Sequence, residues 1–203
     1  MPAFIRRFAR VFLPASLVLS LSACATQPGT ADTASADATP ATLRVATYNT
    51  SLYDDADGGL VRRLQSGDAG ARKIAAVLQQ VGPDLVLLNE FDYDAGGAAA
   101  DLFQRQYLEQ PQPGGGAALH YPYRYIAPVN TGVPSGLDLD RNGTVGGEGR
   151  DRGNDAWGYG LHPGQYGMLV LSRYPVDAGQ VRSFQLLRWA AMARARRPIH
   201  PQT

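Results

Sequence analysis

The sequence predicts an α/β domain built on a parallel strand pair. Three observations predict it: an alternating run at residues 43–48 (LRVATY), a helical apolar repeat through residues 71–81, and an apolar run at residues 84–90 (DLVLLNE). Strand, helix and strand in so short a span form a βαβ unit, whose crossover sets both strands parallel in one sheet. Asn49 and Glu90 then leave the sheet at the same edge, beyond the carboxyl ends of the strands, where ligands of such sheets commonly bind.

Each element has its own warrant. Residues 43–48 alternate apolar with polar positions and include β-branched side chains, so they open the domain as a strand ending at Asn49. Asp68 is placed to cap a helix whose inner positions are Ala71, Ile74, Ala75, Leu78 and Val81, and Gly82-Pro83 stops it. The run at 84–90 is apolar at consecutive positions, the pattern of a strand buried on both faces. Residues 98–110 read as a second helix with Leu102, Phe103, Gln106 and Tyr107 inward, ended by Pro111. Residues 123–128 read as a short edge strand, 166–172 as a core strand and 180–187 as a further strand. Between them, residues 130–165 form a long Gly- and Asp-rich excursion of a length that is usually functional or mobile.

The N-terminus is organised differently. Arg6, Arg7 and Arg10 precede an apolar run at 11–21 that closes on small residues, the pattern of an export signal. The run is shorter than the roughly 20 apolar residues needed to cross a bilayer core of about 30 Å. Leu21-Ser22-Ala23-Cys24 resembles a bacterial lipobox, which makes Cys24 the acylated first residue of the mature chain. Cys24 is the one cysteine in 203 residues, so no intrachain disulfide forms and stability rests on packing. Residues 25–41 are Ala, Thr, Asp, Ser, Gly and Pro with one Gln, without periodicity, a disordered tether. The expected division is therefore signal and lipobox at 1–24, tether at 25–41 and domain at 42–203. The chain is expected to be exported and lipid-anchored at the cell envelope, at the outer membrane. With 19 Lys and Arg against 18 Asp and Glu, no global field draws in a polyanion, which has to be held locally.

Three blocks stand in order along the domain: ATYNTS around Asn49, GPDLVLLNEFD around Glu90 and QYGMLVLSRYPV from Gln165. Together they resemble the first half of the endonuclease/exonuclease/phosphatase superfamily over nearly all of residues 43–187. The resemblance implies a four-layer α/β sandwich, two β-sheets flanked by helices, of which this chain carries an incomplete N-terminal part. It implies that Glu90 binds a catalytic divalent cation, Mg2+ or Mn2+, and that Asn49 orients the metal site or contacts a substrate phosphate. Such hard cations take oxygen ligands, and magnesium often accepts only one or two protein carboxylates, completing its shell with water and phosphate. Phosphodiester or phosphomonoester hydrolysis follows, on nucleic acid, sugar phosphate or lipid phosphate. Taken singly, Glu90 reads as a carboxylate solvating a strand end and Asn49 as an Asx-turn former.

The superfamily's later motifs include a histidine before the cleft, an Asp-x-Asn pair and a terminal Asp-His pair, and no such set follows the third block. His120, His162 and His200 lie in loop contexts without a matching motif. The expectation is a truncated chain with little activity of its own. The other reading is a noncatalytic, surface-tethered module. Asp92 and Asp94, just beyond Glu90, read either as hydrogen-bonding supports of that site or as solvated turn formers, and turn formers are the commoner case. Asp138-x-Asp140-x-Asn142-Gly143 has the opening spacing of a calcium loop, but position twelve is Gly149 and no flanking helices are evident, so a polar turn without metal is the plainer reading. Trp157, Tyr159 and Tyr166 among Gly158, Gly160, Gly164 and Gly167 read as a substrate wall or as packing at a loop base. Arg188, Arg194, Arg196 and Arg197 read as a solvated tail.

Overall fold

The computed structural model describes residues 42–194. Cys24, the signal and tether segments, Arg196, Arg197 and His200 lie outside the described residues. Four strands, β1 (Val45–Leu52), β2 (Leu85–Phe91), β3 (Tyr123–Ile126) and β4 (Met168–Ser172), form one mixed sheet in the order β1-β2-β4-β3. β1 and β2 pair in parallel as expected, with Val45 opposite Leu85 and Asn49 opposite Asn89. β4 runs antiparallel to both β2 and β3. The α/β class holds.

The crossover carries two helices. α2 (Ala69–Val81) is capped by Asp68, whose side chain accepts from the Ala71 N–H at 2.7 Å, and it ends on the left-handed Gly82. Its buried side chains include Ala71, Ile74, Ala75 and Leu78, whereas Val81 in the last turn is exposed. α1 (Gly59–Ser66) was not anticipated, because the Asp- and Gly-rich sequence before it reads as loop; its signal is the buried pair Leu60 and Leu64, one turn apart. The second predicted helix is shorter and changes pitch. α3 (Ala98–Phe103) runs into a π-helical turn at Gln104–Leu108. The wider turn brings consecutive Tyr107 and Leu108 into the core and leaves Gln106 in solvent, contrary to the expected inner face.

The helices cover one face of the sheet only. Val86, Leu88, Leu169 and Leu171 join a core with Leu64, Ile74, Leu78, Phe91 and Phe103. On the other face Leu87, Tyr125, Met168 and Val170 line a groove of about 470 Å³. β2 is therefore buried on one face and half-buried on the other, which corrects the two-faced expectation: the apolar run serves a core on one side and a groove on the other. Residues 180–187 are not a strand. After a short turn at Ala178–Gln180 the chain passes along the groove, tied by Asn130 Nδ2 donating to the Gln185 carbonyl and Gln185 Nε2 to the Val129 carbonyl. These side-chain bonds replace a backbone ladder. No helix among the described residues is long and apolar enough to cross a membrane.

Candidate active site

The parallel pair does not end cleanly at Asn49. β1 continues to Leu52, and after Asn49 pairs with Asn89 the next partners are Leu52 and Phe91, so β1 carries one extra residue, a bulge. Ser51 (φ 48°) and Glu90 (φ 54°), on the facing strands, are both left-handed. In β2 the left-handed residue breaks the alternation, so that Leu88 and Phe91, three apart, both reach the core. Tyr166, entering β4, is left-handed as well (φ 56°). Such conformations cost non-glycine residues about 1–3 kcal/mol each and gather where the surroundings enforce them, often at functional sites.

The side chains around these residues form one mouth. The Asn49 side-chain oxygen accepts from the Ser51 N–H at 3.2 Å, an Asx-turn, and Nδ2 makes no hydrogen bond among the described residues. The Ser51 hydroxyl donates to the Glu90 carboxylate at 3.3 Å. Thr50, buried behind them, donates its hydroxyl to the Asn89 carbonyl at 2.9 Å and so fixes the backbone entering Glu90. Asn49 is exposed and Glu90 half-buried. Tyr53 and Tyr166 pack at a tilt with centroids 4.5 Å apart, and Tyr159 lies 6.4 Å from Tyr166. Burial pushes the Tyr166 phenol above its ordinary value, reinforced by Tyr53 and by the negative charges of Asp55 and Glu90. Trp157 is exposed and makes no ring contact with the three tyrosines.

Asp92 is not a solvated turn former. Only 6% exposed, it accepts from the Asp54 N–H at 2.8 Å and the Tyr166 N–H at 3.0 Å, tying the loop after β1 to the entry of β4 behind Glu90. Burial raises its pKa despite both N–H groups. His162, buried beside it, gives Nε2–H to the Asp54 carbonyl at 3.0 Å, and Gln165 Nε2 donates to the same carbonyl at 2.9 Å. His162 is thus a loop clamp rather than an open base. The close approach requires glycine at 167, where a Cβ would stand 2.7 Å from the Phe91 carbonyl oxygen. Asp94 caps α3, accepting from the Ala98 and Ala99 N–H groups at 2.6 and 3.0 Å.

The long excursion carries hydrogen bonds of its own. Thr131 pairs with Gly158 and Pro134 with Ala156. The turn at Asp138 is followed at once by α4 (Gly149–Asn154), so a short helix does flank the calcium-like spacing. Asp155, just past α4, brings its carboxylate within 4.8 Å of those of Asp138 and Asp140. The sequence reading missed it, because it lies outside the twelve-residue pattern. Backbone N–H groups of Gly146, Leu139 and Asp140 already occupy Asp155, and the Gly146 bond leads in holding its pKa below the carboxylate norm.

The fold and mouth define an α/β protein with oxygen donors gathered at the carboxyl end of a parallel strand pair. The chain belongs to the Endonuclease/Exonuclease/phosphatase family, whose sequence profile matches residues 46–202. No curated protein matches it. It is similar to a crystal structure of an endonuclease/exonuclease/phosphatase from Beutenbergia cavernae DSM 12333, at 23% identity and a TM-score of 0.29. That match covers 66% of this chain and 26% of the other, so it spans about a quarter of the solved chain.

Proposed function

We propose that the mouth binds a divalent cation and a phosphoester, and that the chain acts as a metal-dependent phosphoesterase of its family. The observation that carries this reading is the pairing of Glu90 and Asn49 through Ser51 on strained, bulged backbone. The donor set fits a hard cation: the Glu90 carboxylate, the Asn49 amide oxygen and water satisfy magnesium or manganese, which ask for few protein carboxylates. Bound there, such an ion supplies Lewis-acid polarisation of a phosphoryl oxygen. The residues do the rest: Glu90 supplies the charge, the Asn49 amide N–H donates toward a phosphate oxygen, and the tyrosines wall the mouth. His162 is engaged with a carbonyl, so the mouth lacks an open histidine base among the described residues, and hydrolysis by this chain is slow. Cys24 acylation and a tether at 25–41 hold the domain at the envelope in the same reading.

Calorimetric titration of Mg2+ or Mn2+ into the purified chain checks the proposal. Glu90→Ala is expected to abolish binding while leaving the thermal transition in place. Binding unchanged in Glu90→Ala, or no binding by the parent chain, replaces this reading with the noncatalytic module. Acylation is checked by mass spectrometry of the exported chain, where a Cys24→Ala chain stays unmodified.

A further inference from the structure

We infer that Ser51 is the positioning residue of the mouth, its backbone N–H setting the Asn49 amide and its hydroxyl setting the Glu90 carboxylate. The inference rests on the proposed cation site and adds to it a residue that touches neither ion nor substrate. The two bonds are the N–H to Asn49 Oδ1 at 3.2 Å and the hydroxyl to Glu90 Oε2 at 3.3 Å. They converge because Ser51 is left-handed at the bulge, which turns one residue toward its own strand and toward the facing strand together. An ordinary extended residue presents its N–H to the ladder and its side chain to one face, and cannot do both. A flexible glutamate loses rotamer freedom when it binds an ion. Holding one carboxylate oxygen beforehand removes part of that loss and leaves the other oxygen open.

The plain alternative is that Ser51 only makes a turn. Glycine separates the two roles, since it accepts a left-handed backbone without strain but has no hydroxyl. Alanine lacks the hydroxyl and keeps the strain. Groups that orient a metal ligand commonly change metal affinity by about 10–100-fold when removed. Manganese titration by calorimetry is therefore expected to show affinity about tenfold weaker in both Ser51→Ala and Ser51→Gly, while Ser51→Gly melts at a higher temperature than Ser51→Ala. Parent-like affinity in Ser51→Gly overturns the inference even where Glu90→Ala abolishes binding, which leaves the cation site standing. Absence of Glu90-dependent binding in the parent chain removes the cation site and this inference with it.

Discussion

The mouth at Glu90 and the turn at Asp138–Asp155 are both built from acidic loops, and they spend their carboxylates in opposite ways. The turn brings together three aspartates that already accept hydrogen bonds within the loop: Asp155 from three N–H groups, Asp138 from the Asn142 and Gly143 N–H groups at 3.1 and 2.9 Å, and Asp140 from Asn142 and Asn154. The mouth has one carboxylate in front, Glu90, held by a single hydroxyl, with a second, Asp92, buried behind to organise the loops. A count of acidic residues selects the turn; the Glu90 oxygen that accepts no bond from the described residues selects the mouth. Hydrogen bonds inside a loop can bring acids together without an ion, so proximity of acids alone is weak evidence for a cation.

The largest effect separating the two regions is expected at Asp92. Asp92→Ala leaves the part-buried Asp54 and Tyr166 N–H groups without an acceptor, at about 1–3 kcal/mol each, or about 2–6 kcal/mol in all. Denaturant unfolding measures it, and loss of the mouth's manganese affinity should accompany it. A stability change within error would break the contrast.

A smaller effect lies in the pH dependence of Asp155, whose folded pKa is depressed chiefly by the Gly146 N–H. Its contribution is present above the ordinary 3.8 and is lost as pH falls through the lower folded value. Asp92, raised by burial, works the other way: its contribution is full below 3.8 and is lost as pH rises through the folded value. Asp155→Asn should thus flatten the acid limb of stability below pH 3.8, as followed by urea midpoints. The carboxyl carbons of the parent chain, titrated by NMR, should bracket 3.8, with Asp92 above and Asp155 below. The smallest effect is expected from Asp140→Ala on the exposed rim of the turn, about 0.5 kcal/mol or less, with manganese affinity at the mouth unchanged. A loss of that affinity would relocate the cation to the turn.

Much of the frame was legible in the sequence. Asp68, the Ala71 to Leu78 spacing and Gly82-Pro83 define α2 because capping and periodicity are local, and the parallel pairing of β1 and β2 follows from chain topology. The position of Asn49 and Glu90 at one sheet edge was legible for the same reason. The bulge, the left-handed Ser51 and Glu90, and the π-helical turn were not, since each is imposed by tertiary packing against local preference. Asp155 and Asp92 escaped because their partners are distant in sequence: Asp92 bonds Tyr166, and Asp155 bonds residues on the far side of α4. Residues 180–187 carried strand-like composition but pair with neither edge strand of the sheet, and side chains rather than backbone hold them along the groove.

The left-handed trio at Ser51, Glu90 and Tyr166 places folding and chemistry in competition at the same positions. Chains drifting under selection for stability alone would exchange these residues for glycine or asparagine, shedding hydroxyl, carboxylate and phenol in the process. The present sequence carries all three, so the mouth is one place where this domain gives up robustness.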